Sequence, residues 1–270
     1  MLFENIFIIR GGFWGEEYDF KVLFAVVAVV ICVFDWKWKK RKDYLWVFIT
    51  GFIFWSSVEL LLQVIGIRDM PNRYLFGIEI PFYLSIPLQG LSEGTTVGVV
   101  GLFITDLYLD KTTRKHSVWF FAVIVVLLNL IMFSHGIYTP NVGGEVPSRR
   151  DMFSIMQLIL IVLVAPAIYW LVETDQQSRK RGIYLFFVMF LLGLLWYIAY
   201  FLSGQRWIEI GIKNPDGTYS NLQRAPVLLE VLLLIYGAAI EIALAYMPFL
   251  AIPYLLRLIK ANKEEYKEIS

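Results

Sequence analysis

The chain has one cysteine, Cys32, and two histidines, His116 and His135, in 270 residues. A single cysteine excludes an internal disulfide and any cysteine metal cluster. Two histidines argue against a histidine-rich metal centre in the membrane. Charge is also scarce, at 17% of residues against 58% hydrophobic. A soluble domain needs a charged surface, so this balance indicates a polytopic membrane protein whose first partner is the lipid bilayer. The net charge of +1 gives no reason to expect nucleic acid. There is no internal repeat, so the inverted-repeat signature of many transporters is missing. No cleavable signal peptide is expected, because Met1 to Ile9 contains Glu4 and runs into Arg10 and two glycines. The absence of an N-x-S/T sequon favours a prokaryotic cytoplasmic membrane over a eukaryotic plasma membrane.

What is present is a series of apolar runs. They predict an all-α membrane protein, a single domain over 1–270 built as a seven-transmembrane-helix bundle. The spans fall at about 20–36, 44–66, 75–110, 117–133, 152–172, 183–202 and 225–258. The seventh exceeds what a bilayer needs and must tilt, kink or protrude, with Pro248 and Pro253 as the means. Lysine and arginine cluster after spans one, three, five and seven. The positive-inside rule therefore puts the N-terminus outside and the C-terminus inside. Between spans six and seven, Ile208, Ile210 and Ile212 alternate with Trp207, Glu209 and Gly211, and Asn214-Pro-Asp-Gly supplies a turn. This predicts a small outer β-hairpin.

The third span, Leu75 to Asp110, should stand at the centre. Gly90, Gly94, Gly98 and Gly101 form one stripe on it, with the spacing that lets helix backbones approach closely. That stripe offers a face to a partner helix or to a second copy of the chain. Ser85, Gln89, Glu93 and Thr96 form another stripe, which cannot face lipid. Placed by depth, further polar residues converge on the outer half of the bundle. They are Ser56, Glu59 and Gln63 in span two, Asn129 in span four, Ser154 and Gln157 in span five, and Glu230 and Glu241 in span seven. Tyr197 and Tyr200 add hydroxyls in span six. For Gln63, Gln89, Asn129 and Gln157, hydrogen bonding between helices is an adequate account.

The carboxylates ask for more. The reading places no lysine or arginine inside a span, and the nearest cations are edge residues such as Arg68 and Arg224. An unpaired buried carboxylate is neutral or binds a cation. The candidate ligand or ion site is therefore Glu93, Glu241, Glu59, Glu230, Gln89 and Gln63. Glu79 and Asp106 sit near the ends of the third span and read as interfacial anchors. Trp55 and Trp196 lie deep, where packing is the simpler account and lining a pocket the alternative.

Two receptor families share the predicted topology. Thr105-Asp106-Leu107-Tyr108 is loosely similar to the acidic-Arg-aromatic motif of G-protein-coupled receptors, with the arginine absent. Glu241 and Trp196 resemble the acidic residue of the last helix and the deep tryptophan of the sixth helix in microbial rhodopsins. The retinal lysine position falls on Ala245, so covalent retinal is excluded, and no cofactor is predicted. The leading expectation is an outward-facing acidic cavity that binds or transports a cation, protons or a small polar solute. A seven-helix sensor, a structural subunit and a lipid-active enzyme are the alternatives. No nucleophile, histidine or metal set accompanies the carboxylates, so no catalytic residue is assigned.

Overall fold

The computed structural model describes residues 6–11, 17–69, 73–134, 136–153 and 156–259, without the side chains of 69 and 156–159. Strand β1 (Ile6–Arg10) leads into α1 (Asp19–Trp38) and α2 (Asp43–Val64), which are followed by the short strands β2 (Arg68–Asp69), β3 (Tyr74–Leu75) and β4 (Ile78–Glu79). A long rod then runs through α3 (Phe82–Gln89), a π-helical segment π1 (Gly90–Thr96) and α4 (Val97–Leu109). Next come α5 (Arg114–Phe133), β5 (Ser148–Asp151), α6 (Met156–Glu173) and α7 (Gln176–Leu202). The hairpin β6 (Arg206–Lys213) and β7 (Tyr219–Arg224) precedes a last rod made of α8 (Val227–Tyr236), π2 (Gly237–Leu244) and α9 (Ala245–Leu255). Four helical stretches are long and apolar enough to cross a membrane: Asp43–Val64, Arg114–Phe133, Gln176–Leu202 and Val227–Leu255.

The fold is not purely helical. The predicted hairpin is present, with Gly217 donating its N–H to Asn214 O across the turn, but it belongs to a larger sheet. The strand order is β2-β5-β1-β6-β7, with every pairing antiparallel. These strands come from the chain ahead of α1 and from the connections after α2, α5 and α7. One sheet thus ties together segments up to about two hundred residues apart.

The predicted third span also starts later than expected. Leu75 is in a strand, and the rod begins at Phe82. Phe76 and Gly77 both take positive φ, 50° and 73°, which makes a two-residue hairpin turn between β3 and β4. Pro81 then caps the helix in an extended conformation.

The rod that follows is central, as its glycines require. A Cβ on Gly94 would lie 2.3 Å from the carbonyl oxygen of Gly51 in α2, and one on Gly90 would collide with the Ser56 hydroxyl. Gly98 faces Phe249 of α9, and Gly101 faces Met189 of α7. At these four positions the stripe faces helices of the same chain. Around the rod, Val99, Leu102, Met189, Phe249 and Leu250 form the main apolar core.

Candidate functional site

The site is built where the sheet meets the helices. Side chains alternate across a strand, and directly paired residues share a face. Ile8 pairs with Arg150 and Ile208, Arg150 pairs with Arg68, and Arg10 pairs with Arg206. Arg10, Arg68, Arg150 and Arg206 therefore share the face that carries Ile6, Ile8 and Ile208. These isoleucines pack with Met152, Ala225 and Leu233, the last from α8. The opposite face has its own small core of Phe7, Ile9, Val146 and Trp207, beside a buried Arg149–Glu209 ion pair. Four arginines are thus held among the helices by a sheet that is covered on both sides.

Each of the four candidate glutamates meets an arginine, three of them one of these four and Glu230 the Arg224 of β7. In π1, Glu93 accepts hydrogen bonds from Arg10 at 3.1 Å and from the Trp55 indole at 3.3 Å. Tyr246 donates to the backbone oxygen of Glu93 at 2.7 Å. In π2, both oxygens of Glu241 accept from Arg150, at 2.6 and 2.7 Å, and Arg206 stands 3.9 Å away. Glu59 is paired with Arg68 and accepts from Gln63, which in turn accepts from Arg73. Glu230 is paired with Arg224 at 3.1 Å and accepts the backbone N–H of Ile208. The expectation of unpaired carboxylates is corrected: the cations come from strands, not from spans. Arg68 and Arg224 were already named as the nearest cations. Arg10, Arg150 and Arg206 were missed, and the one local signal was the alternation of Arg206 with Ile208 and Ile210.

A second correction concerns lysine. Lys21 lies in the first turn of α1 and is only 5% exposed, so a lysine does occur within a predicted span. Its ammonium sits 4.3 Å from the centre of the Tyr18 ring and has no hydrogen-bond partner among the described residues. Gln89 is fully buried, and neither end of its amide has a partner among them. Ser85 donates to Phe82 O and Asn129 to Val125 O, whereas the Ser56 hydroxyl has no hydrogen-bond partner among the described residues. Ser154 and the side chain of Gln157 lie outside the described residues.

Two adjoining cavities lie below the sheet. One, of about 80 Å³, is lined by Arg10, Arg68 and Arg150, by Glu93 and Glu241, and by aromatic residues that include Trp55, Tyr197 and Tyr246. The other, of about 60 Å³, is bounded mainly by Val97, Val100, Ile124, Leu128 and Leu192, with Lys21 and Glu93 also in its wall. Glu93, Val97, Leu192 and Trp196 line both. Trp196 is therefore a lining residue, although packing had been the simpler account.

The electrostatic balance is cationic. Of the arginines at the larger cavity, Arg10, Arg150 and Arg68 each have a glutamate, Glu93, Glu241 and Glu59, and Arg206 beside Glu241 is the additional cation. Burial alone would lower the guanidinium pKa of Arg10 and of Arg150, yet Glu93 and Glu241 respectively hold both above the ordinary value. At Arg68 and Arg206 burial prevails over the attraction of Glu59, Tyr197 and Glu241, and both fall below it. Arg206 is the least compensated. Its guanidinium stacks 3.9 Å over the Tyr197 ring, and its Nε has no partner among the described residues. Among the described residues no three of His, Cys, Asp and Glu come together as metal ligands would.

At the other end of the helices, Arg181 joins Asp106, Asp43 and Tyr254. Asp106, expected to be an interfacial anchor, is the acceptor of that network.

No protein family, no curated protein and no solved structure matches the chain.

Proposed function

We propose that the chain is an integral membrane protein with seven spans and its N-terminus outside, and that the two adjoining cavities take a small polar solute, which enters through the larger one from the outer side. Beyond the four long apolar helices, support comes from what the other helices leave bare. On α1, Leu23, Val26 and Val30 are each more than half exposed, and on α6 so are Ile161, Val162 and Ile168. In water such stripes would form a large apolar patch, whereas in lipid they are an ordinary surface.

The observation that carries the solute reading is the convergence of the two π-helical segments. Each presents a glutamate to one cavity, Glu93 from π1 and Glu241 from π2, opposite an arginine of the sheet. π-Helical turns are rare and recur at functional sites. A cation is no longer the favoured ligand, because each carboxylate already has a guanidinium at ion-pair distance. Of the candidate residues, Glu93 and Glu241 line the cavity. Glu59 and Gln63 hold Arg68 and Arg73 beside it, and Glu230 fixes the hairpin to α8.

Solvent access tests this reading. With Cys32→Ser as background, Tyr197→Cys places a thiol on the cavity wall in nanodiscs. A small membrane-impermeant thiol reagent is expected to react from the side of the sheet. Failure to react from either side, in protein that is folded and labelled fully after denaturation, would overturn it.

A further inference from the structure

Resting on that reading, the two cavities together also specify the chemical class of the solute. We infer that the ligand is a small monocarboxylate with a compact apolar body, its carboxylate held by Lys21 and its body lodged in the cavity between α1, α4, α5 and α7. The first observation is the wall itself. Val97, Val100, Ile124, Leu128 and Leu192 offer no hydrogen bonds from their side chains, and the hydroxyls of Ser92 and Thr96 in the same wall already donate to Gln89 O and Leu91 O, so a fully polar ion gains little from this volume. The second is the lone cation set into that wall. Lys21 is more than nine-tenths buried, and its ammonium has three donors and no acceptor among the described residues. A buried ammonium without an acceptor is costly, and a ligand carboxylate would supply one.

The neighbouring residues exclude the other ligand classes. Glu93 accepts from Arg10 and Trp55 and makes no hydrogen bond with Lys21. An ammonium ligand would meet Lys21 as well as the arginines of the adjoining cavity. A phosphate or sulfate would bring more negative charge and hydration than one unpartnered ammonium and an aliphatic wall can replace. The two volumes, about 60 and 80 Å³, suit a body of a few carbons and not a lipid chain. Arg206, whose nearest carboxylate is already held by Arg150, adds a favourable field for an anion arriving from the sheet side.

The experiment uses the full chain in nanodiscs, with thermal unfolding followed at fixed pH and ionic strength. Butyrate, benzoate, inorganic phosphate and butylammonium are the probes. Butyrate and benzoate are expected to raise the midpoint in a saturable way, and phosphate and butylammonium to leave it unchanged. Lys21→Met should weaken butyrate at least about tenfold, the loss of one charge-assisted hydrogen bond, while Lys21→Arg retains most of the response. Val97→Phe, at a position lining both cavities, should abolish it by filling the space even if Lys21→Met folds poorly. Equal responses to phosphate or butylammonium would overturn the inference, as would no response to either carboxylate, or an unchanged butyrate response in Val97→Phe. If the thiol at position 197 is labelled and the carboxylates still do nothing, the inference alone fails. If the thiol is not labelled, the solute reading fails with it.

Discussion

Arg150 holds both carboxylate oxygens of Glu241 with a single nitrogen, at 2.6 and 2.7 Å, across 91 residues of sequence. This contact joins a strand of the sheet to the middle of the last helical rod, and both side chains are at least nine-tenths buried. Removing one partner from such a pair leaves an uncompensated charge, and replacing both does not. Arg150→Met or Glu241→Gln alone should therefore cost about 3–5 kcal/mol, and the double variant distinctly less than the sum. A denaturation cycle in micelles reads the coupling. Additive costs would mean that the pair contributes nothing as a pair.

The close approach of the central rod to α2 separates two glycines that look alike in sequence. At Gly94 a Cβ would stand 2.3 Å from a backbone oxygen and 2.7 Å from Trp55 Cβ, neither of which can turn aside. At Gly98 the nearest atom is 3.0 Å away, on the ring of Phe249. Alanine improves helix propensity at both positions by about 1 kcal/mol. Gly94→Ala should nonetheless lose about 1–3 kcal/mol to overpacking, and Gly98→Ala should be close to neutral. Unfolding midpoints of the two variants would decide, and equal midpoints would contradict the geometry.

At the far end, Arg181 uses the full fork of its guanidinium. Nε and Nη2 donate to Asp106 at 2.8 and 2.6 Å, and Nη1 donates to Asp43 and to the Tyr254 hydroxyl at 2.9 and 3.0 Å. Lysine keeps the charge but cannot reproduce three directions at once. Arg181→Lys should cost about 1.5–3 kcal/mol, and Tyr254→Phe, which removes one neutral acceptor, about 0.5–1.5. Thermal unfolding of the two single variants tests the order. A lysine variant as stable as the parent would show that charge alone suffices there.

The parts that could be read from sequence are those set by local pattern. Apolar runs marked the helices, and alternation followed by Asn214-Pro-Asp-Gly marked the hairpin of β6 and β7. Tyr74–Glu79 misled because Leu75, Phe76 and Ile78 continue an apolar run, and only the positive φ of Phe76 and Gly77 breaks it. Strands β1, β2 and β5 have no local signal strong enough to name them. Ile6–Arg10 becomes a strand because it pairs with residues about 140 and 200 positions away. The same distance hid the site: Glu93 and Glu241 were found by their depth, while Arg10 and Arg150 lie in segments outside the apolar runs and Arg206 opens a hairpin read as standing outside the bundle. The π-helical turns were invisible as well, since Gly90–Thr96 and Gly237–Leu244 carry residues that an α-helix accepts equally.

The connection between α6 and α7 gives the cleanest pH test, because its titrating group lies outside the helices. Asp175 caps α7, and its Oδ1 accepts the backbone N–H of Gln177 and of Ser178 at 3.0 Å each. Partial burial pushes its carboxyl pKa up, but the donors from Ser178 and Gln177 prevail and hold it below the usual value. A folded pKa below the unfolded one means that the cap stabilises fully above the unfolded value, about 3.9, and is lost as pH falls through the folded value. Asp175→Ala should cost about 1 kcal/mol near neutral pH. The gap between parent and variant should be flat down to about pH 5 and should narrow progressively below about pH 4. Asp175→Asn, which keeps an acceptor without the charge, should lie between the two and vary less with acid. Paired unfolding curves across this range check the sign. A gap that widened on acidification would mean that the carboxyl is held above its usual value, and the N–H donors would then not control it.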